Sequence, residues 1–218
     1  MFSEMLDIER PNSLFFKHFS GALVSAGGKP AATIAGVPNR IYLYYGFNGV
    51  PNVVTNENPT TGDIDNTDTY VYNPSTGKWT ASALDFNITG TSKIQTSAAI
   101  SGSYSRICYY FWDYITEYET PSFFHYPTEV RGCSANTKPV LTVSALPNRI
   151  YVYNMGTVFT NENPTTGEIN NNNIYQYAQT TDTWTLTSLH FTVSSSAITV
   201  SAAISSSVRY LCWMYDYA

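Results

Sequence analysis

Charge is scarce in this chain of 218 residues: 12% of them are Asp, Glu, Lys or Arg, against about a quarter in an ordinary globular domain. Six are arginine, and the chain has three histidines. The net charge of −5 leaves no basic surface for a phosphate backbone, so nucleic acid is excluded as an expected partner. No apolar run reaches the roughly 18 residues of a membrane helix, so no membrane span is expected. The opening stretch MFSEMLDIERPNS is acidic and holds no apolar segment, so no signal peptide is visible. The chain reads as cytoplasmic, or as released without such a leader. Three cysteines, an odd number without close pairing, point to reduced thiols. Cys108 and Cys212 read as equivalent strand positions, and Cys133 has no counterpart.

Catalytic signatures are also missing. His18, His125 and His190 stand in no metal-ligand spacing, and no cysteine joins them. There is no Gly-x-Ser-x-Gly, no phosphate loop and no HExxH. The few carboxylates are spread over repeats, which argues against one acid–base pair. No catalytic residue, metal or cofactor is expected, and the protein reads as a non-enzyme.

Repetition fills the chain instead. Val37-Pro-Asn-Arg-Ile-Tyr42 returns as Leu146-Pro-Asn-Arg-Ile-Tyr151, and TNENPTTG at 55–62 returns unchanged at 160–167. Tyr70-Val-Tyr72 with Trp79 returns as Tyr175-Gln-Tyr177 with Trp184, and Ser97-Ala-Ala-Ile-Ser101 returns as Ser201-Ala-Ala-Ile-Ser205. These matches establish a tandem duplication. Each half divides again, because Arg40, Arg106, Arg149 and Arg209 open similar phrases, 66, 43 and 60 residues apart. A Glu-x-Pro follows three of them (Glu57, Glu119 and Glu162), and a fourth stands at the N-terminus as Glu9-Arg10-Pro11.

Thr, Ser, Asn and 18 Tyr take the place of charge, a mixture that favours strands and polar turns over helices. The arginine phrases alternate like strands, and Tyr70 to Leu84 reads as strand–turn–strand. Units of about 55 residues suit one four-stranded blade each. The fold expected is therefore all-β: a small β-propeller of four blade-like repeats. It would be a single domain, with duplicated halves at about 13–121 and 122–218. Residues 1–12 would close the ring by completing the C-terminal blade, since a ring must leave no free strand edge. A domain swap of that segment between two copies, giving a homo-oligomer, satisfies the same pattern.

An arginine fork and a glutamate can together hold vicinal sugar hydroxyls, and an aromatic ring can cover the C–H face of a sugar. Several such sites would act through multivalency. The same Arg–Glu repeat also suits an internal ion pair that locks blade to blade. Trp79 and Trp184 suit either ligand contact or inter-blade core. The kelch-like look of Tyr70 to Trp79 leaves a second reading open, a propeller that binds protein partners.

Arg106-Ile-Cys-Tyr-Tyr-Phe-Trp-Asp-Tyr-Ile-Thr-Glu117 resembles the blade phrase of the fungal fucose-specific lectins of the Aleuria aurantia type. YVYNPSTGKW at 70–79 is similar to the hairpin of that family, and Ser97-Ala-Ala-Ile to its small inner strand. The resemblance implies a non-enzymatic β-propeller lectin with sugar sites between blades. It places Arg40, Arg106, Arg149 and Arg209 with Glu57, Glu162 and either Glu117 or Glu119 on the sugar. Trp79 or Trp184 would stack on it. The implied ligand is a glycan, with fucose as the family's own sugar.

Overall fold

A computed structural model describes residues 18–46, 52–73, 76–100, 106–112, 126–154, 156–181 and 183–216. Every regular element in it is a strand. The first half holds β1 (His18–Val24), β2 (Ala31–Thr33), β3 (Ile41–Gly46), β4 (Asn52–Thr55), β5 (Tyr70–Asn73), β6 (Lys78–Ala81), β7 (Phe86–Thr89), β8 (Lys93–Thr96) and β9 (Arg106–Trp112). The second holds β10 (Tyr126–Cys133), β11 (Val140–Thr142), β12 (Arg149–Asn154), β13 (Thr157–Thr160), β14 (Tyr175–Ala178), β15 (Thr183–Leu186), β16 (Phe191–Val193), β17 (Ala197–Val200) and β18 (Arg209–Asp216).

Each half builds the same pair of antiparallel sheets. In the first, a six-stranded sheet runs β1-β9-β3-β4-β5-β6 and a three-stranded sheet runs β2-β8-β7. In the second, the orders are β10-β18-β12-β13-β14-β15 and β11-β17-β16. The expectation of four four-stranded blades in a ring is corrected by this count of six, three, six and three, and none of the sheets closes into a barrel. Regular spacing showed where strands lie, but it could not show that the last strand of each half inserts between the first and third.

β18 is bonded to β10 along one edge and to β12 along the other. The segment expected to complete the C-terminal blade, residues 1–12, lies outside the described residues.

Three cores follow from the alternation of side chains across each strand. One lies between the two sheets of the first half and contains Ile41, Leu43, Val54, Phe86 and Ile94. Its counterpart in the second half contains Ile150, Val152, Phe159, Ile174 and Ile198. The third packs the two six-stranded sheets against each other and is rich in tyrosine: Tyr42, Tyr44, Tyr72, Tyr109, Tyr151, Tyr153 and Tyr177. Phe111 of the first half meets Tyr153 of the second edge-on, with ring centroids 4.4 Å apart. The six-stranded sheets are thus covered on both faces, which is why β9 reads as the unbroken apolar run ICYYFW rather than an alternating one.

The register also corrects the pairing of the cysteines. Cys108 lies opposite Tyr45, whereas Cys212 lies opposite Tyr153, the counterpart of Tyr44. A one-residue offset puts a side chain on the other face. Cys108 therefore belongs to the first sandwich core and Cys212 to the central core. The true counterparts are Leu211 for Cys108 and Tyr109 for Cys212.

Candidate functional site

In the β3–β4 hairpin Tyr42 stands opposite Thr55. Two residues outward along each strand bring Arg40 opposite Glu57 on the same face. In the β12–β13 hairpin Tyr151 stands opposite Thr160, which brings Arg149 opposite Glu162 in the same way. The Arg-to-Glu spacing differs between halves, 17 residues against 13, because the hairpin tips differ in length while the register does not.

The ion pairs are present in both halves, but with different exposure. The Arg40 Nη1 and Glu57 Oε2 atoms are 3.9 Å apart, with side chains 2% and 0% exposed. Arg149 Nε lies 3.1 Å from Glu162 Oε2, with side chains 25% and 8% exposed. A tyrosine completes each cluster. The Tyr42 hydroxyl donates to Glu57 Oε2 at 2.9 Å, and the Tyr151 hydroxyl donates to Glu162. Burial first, and then the Glu57 carboxylate, pushes the Tyr42 hydroxyl well above its ordinary range, so it stays protonated and donating.

The repeated TNEN segment has a structural account. Asn56 Oδ1 accepts from the Ile41 amide at 2.7 Å, while its Nδ2 donates to the Asn39 carbonyl at 2.7 Å and to Asn66 Oδ1 at 2.8 Å. Asn161 repeats these bonds with Ile150, Asn148 and Asn171. The Glu57 amide bonds Thr55 Oγ1, and Asn58 Oδ1 caps the turn through the Thr60 and Thr61 amides. These residues aim each glutamate at its arginine.

Trp79 on β6 lies across from Tyr72, with centroids 5.3 Å apart, and meets Tyr42 edge-on at 6.5 Å. Trp184 lies across from Tyr177 at 5.1 Å. Both indoles are half-buried against the central core. Arg106 and Arg209 sit elsewhere. They open β9 and β18, across from Val24 and Cys133, and share a strand face with the sandwich-core residues of those strands. The four arginines therefore occupy two environments rather than one repeated four times. Glu117 and Glu119 lie outside the described residues.

Sequence reasoning missed Tyr42 and Tyr151 as partners of the glutamates, and Asn56 and Asn161 as the groups that position them. The signal was present: each belongs to a phrase that the two halves share without change. Among the described residues no group of His, Cys, Asp or Glu could hold a metal ion. No helix among them is long and apolar enough to cross a membrane. Comparison with known proteins finds no matching family, no similar curated protein and no similar solved structure.

Proposed function

We propose that this protein is a non-enzymatic carbohydrate-binding protein, a lectin, whose working site is Arg149, Glu162, Tyr151 and Trp184 in the second half. One observation carries the reading: Arg149 touches Glu162 and still leaves a quarter of its side chain open to solvent. A guanidinium held by its own carboxylate is pre-aimed and has donors to spare, and a planar fork of this kind suits adjacent sugar hydroxyls. Trp184, half-buried against the central core that also holds Tyr151, would supply the aromatic face.

The first-half cluster serves as scaffold in this reading, because Arg40 and Glu57 are enclosed. The reading needs no ring of blades. Fucose is the first sugar to test, given the resemblance of the arginine phrases to fucose-specific lectins.

A glycan array followed by monosaccharide calorimetry tests this. Binding should appear in the parent and fall roughly ten- to hundredfold in R149A, the scale of a lost charged hydrogen bond. The variant should keep its circular dichroism spectrum. A silent array, or binding that R149A leaves unchanged, would overturn the proposal.

A second reading is favoured by Val37 and Leu146, counterparts that are 62% and 63% exposed and lie three residues before Arg40 and Arg149. A retained apolar side chain beside each pair suits a protein partner, and glycan silence with V37D and L146D abolishing a pull-down would support it.

A further inference from the structure

The two halves place a pair of tyrosines alike and leave them with different hydrogen bonds to spare. Tyr70 on β5 and Tyr175 on β14 each accept at 2.8 Å from the side-chain amide of the asparagine that follows the site glutamate, Asn58 and Asn163. The direction of that bond is fixed. The Oδ1 atom of each asparagine already accepts from its own turn, from the Thr60 and Thr61 amides or the Thr165 and Thr166 amides, so Nδ2 is the atom that faces the tyrosine. Each hydroxyl hydrogen is then left to find an acceptor of its own. Tyr70 finds it in Asp68 Oδ2 at 3.0 Å. The second half has Asn173 at that place, and among the described residues the Tyr175 hydroxyl hydrogen has no acceptor.

This unspent donor lies on the face of the arginine site. Tyr151, Thr160, Tyr175 and Leu186 stand directly across from one another on neighbouring strands, so they share the face that carries Arg149, Glu162 and Trp184. Tyr175 is two strands from Tyr151, about 10 Å along the sheet, a gap that a hexose with a substituent can bridge. Leu186, across from Tyr175, is 61% exposed, whereas the residue across from Tyr70 is Ala81. The second half therefore adds two things that the first lacks, a free hydroxyl donor and an open branched hydrocarbon beside it.

A donor beside a hydrocarbon suits an acceptor beside a methyl group. A plain hexose offers the acceptor without the methyl. An acetamido group offers both: its carbonyl oxygen accepts, and its methyl leaves water against an apolar side chain. We propose that the second-half site selects 2-acetamido sugars, with the acyl oxygen on the Tyr175 hydroxyl and the acyl methyl on Leu186, while Arg149 holds ring hydroxyls. This rests on the lectin reading above and adds the sugar class to it.

Titration calorimetry on the full chain tests the selectivity, with N-acetylglucosamine against glucose, N-acetylgalactosamine against galactose, and fucose as a sugar with a methyl and no acyl oxygen. Each acetamido sugar should bind roughly ten- to twentyfold more tightly than its parent hexose, the scale of one hydrogen bond and one buried methyl. Y175F removes the donor and keeps the ring; it should cut that ratio about fivefold and leave the parent hexoses unchanged. N173D supplies the acceptor that Tyr70 has and should act in the same direction. L186A restores the smaller first-half side chain and should cut the ratio about threefold. R149A should weaken both members of each pair and preserve the ratio. Equal binding within the pairs, fucose binding as tightly as the acetamido sugars, or Y175F lowering both members alike would each overturn the selectivity while leaving the lectin reading in place. Silence toward all five sugars and toward the glycan array would overturn both.

Discussion

Gly21 lies directly across from Tyr109, and a Cβ added to that glycine would sit 2.7 Å from the Tyr109 Cε1 atom. Tyr109 cannot retreat: it is 2% exposed, and its hydroxyl reaches across the central core to donate to the Tyr210 carbonyl. In the second half the same pair of positions is Val130 across from Cys212. One half has the small residue on the edge strand and the large one on the central strand, and the other half has the reverse. G21A should therefore destabilise by about 1–3 kcal/mol, the usual cost of overfilling a packed site. G21V should cost more, and adding Y109C should recover part of the loss. Urea denaturation of the single and double variants checks the coupling; purely additive losses would count against it.

The two ion pairs should respond differently to truncation. Removing one partner of an enclosed pair strands the other charge, at a cost of about 3–5 kcal/mol. R40A should fall in that range, because Arg40 and Glu57 are shut away from water. R149A should cost clearly less, because its quarter-exposed site lets water screen the stranded Glu162. Equal shifts in the urea midpoint would contradict this.

Asn56 should be more sensitive than its loop position suggests. N56A leaves the buried Ile41 amide without its acceptor, which costs about 1–3 kcal/mol. It also frees the segment that aims Glu57. N161A should show the same loss in the other half, and additionally weaken any ligand binding at Arg149. Thermal melts together with calorimetry separate the two effects.

Alkaline pH should unfold the protein through its buried thiols and phenols. Burial pushes the Cys108 thiol from its ordinary 9.0 up to about 12, and raises the Tyr109 and Tyr42 hydroxyls above their ordinary 10.0. Each of these groups is neutral when protonated, and a raised value means the folded chain holds its proton longer. Below pH 9.0 both states keep the Cys108 proton and stability is full. Above it the unfolded chain ionises first, so stability falls as pH rises, until the folded thiol also ionises near about 12. Urea midpoints measured from neutral pH upward should decline through 9.0 and more steeply past 10.0. C108V should make the first part shallower.

Much of this could be seen in the sequence. The duplication, the all-β character and the strand at each arginine phrase came from period and composition. The Arg–Glu pairing came from repetition alone, although its geometry is set by hairpin register. Sheet assembly was not legible, because spacing along the chain does not say which strands become neighbours; β9 pairs with β3 although residues 47–105 lie between them, and with β1 from still farther along the chain. The Glu9-Arg-Pro11 copy has a counterpart in Glu119-Thr-Pro121, each ahead of a Phe-Phe pair, and both lie outside the described residues. Exposure was not legible either, since Arg40 and Arg149 open the same phrase and only packing makes one enclosed and the other open.

The reversed sizes at the central seam bear on the history of the chain. Two copies of the first half placed face to face would bring two Tyr109 rings to a spot shaped for one. Two copies of the second would set Cys212 against Cys212 and leave a hollow. The halves thus carry residues of different size at matching places, Tyr109 in one and Cys212 in the other, so a chain cut back to one half is expected to pair less well with its own copy than the two halves pair with each other.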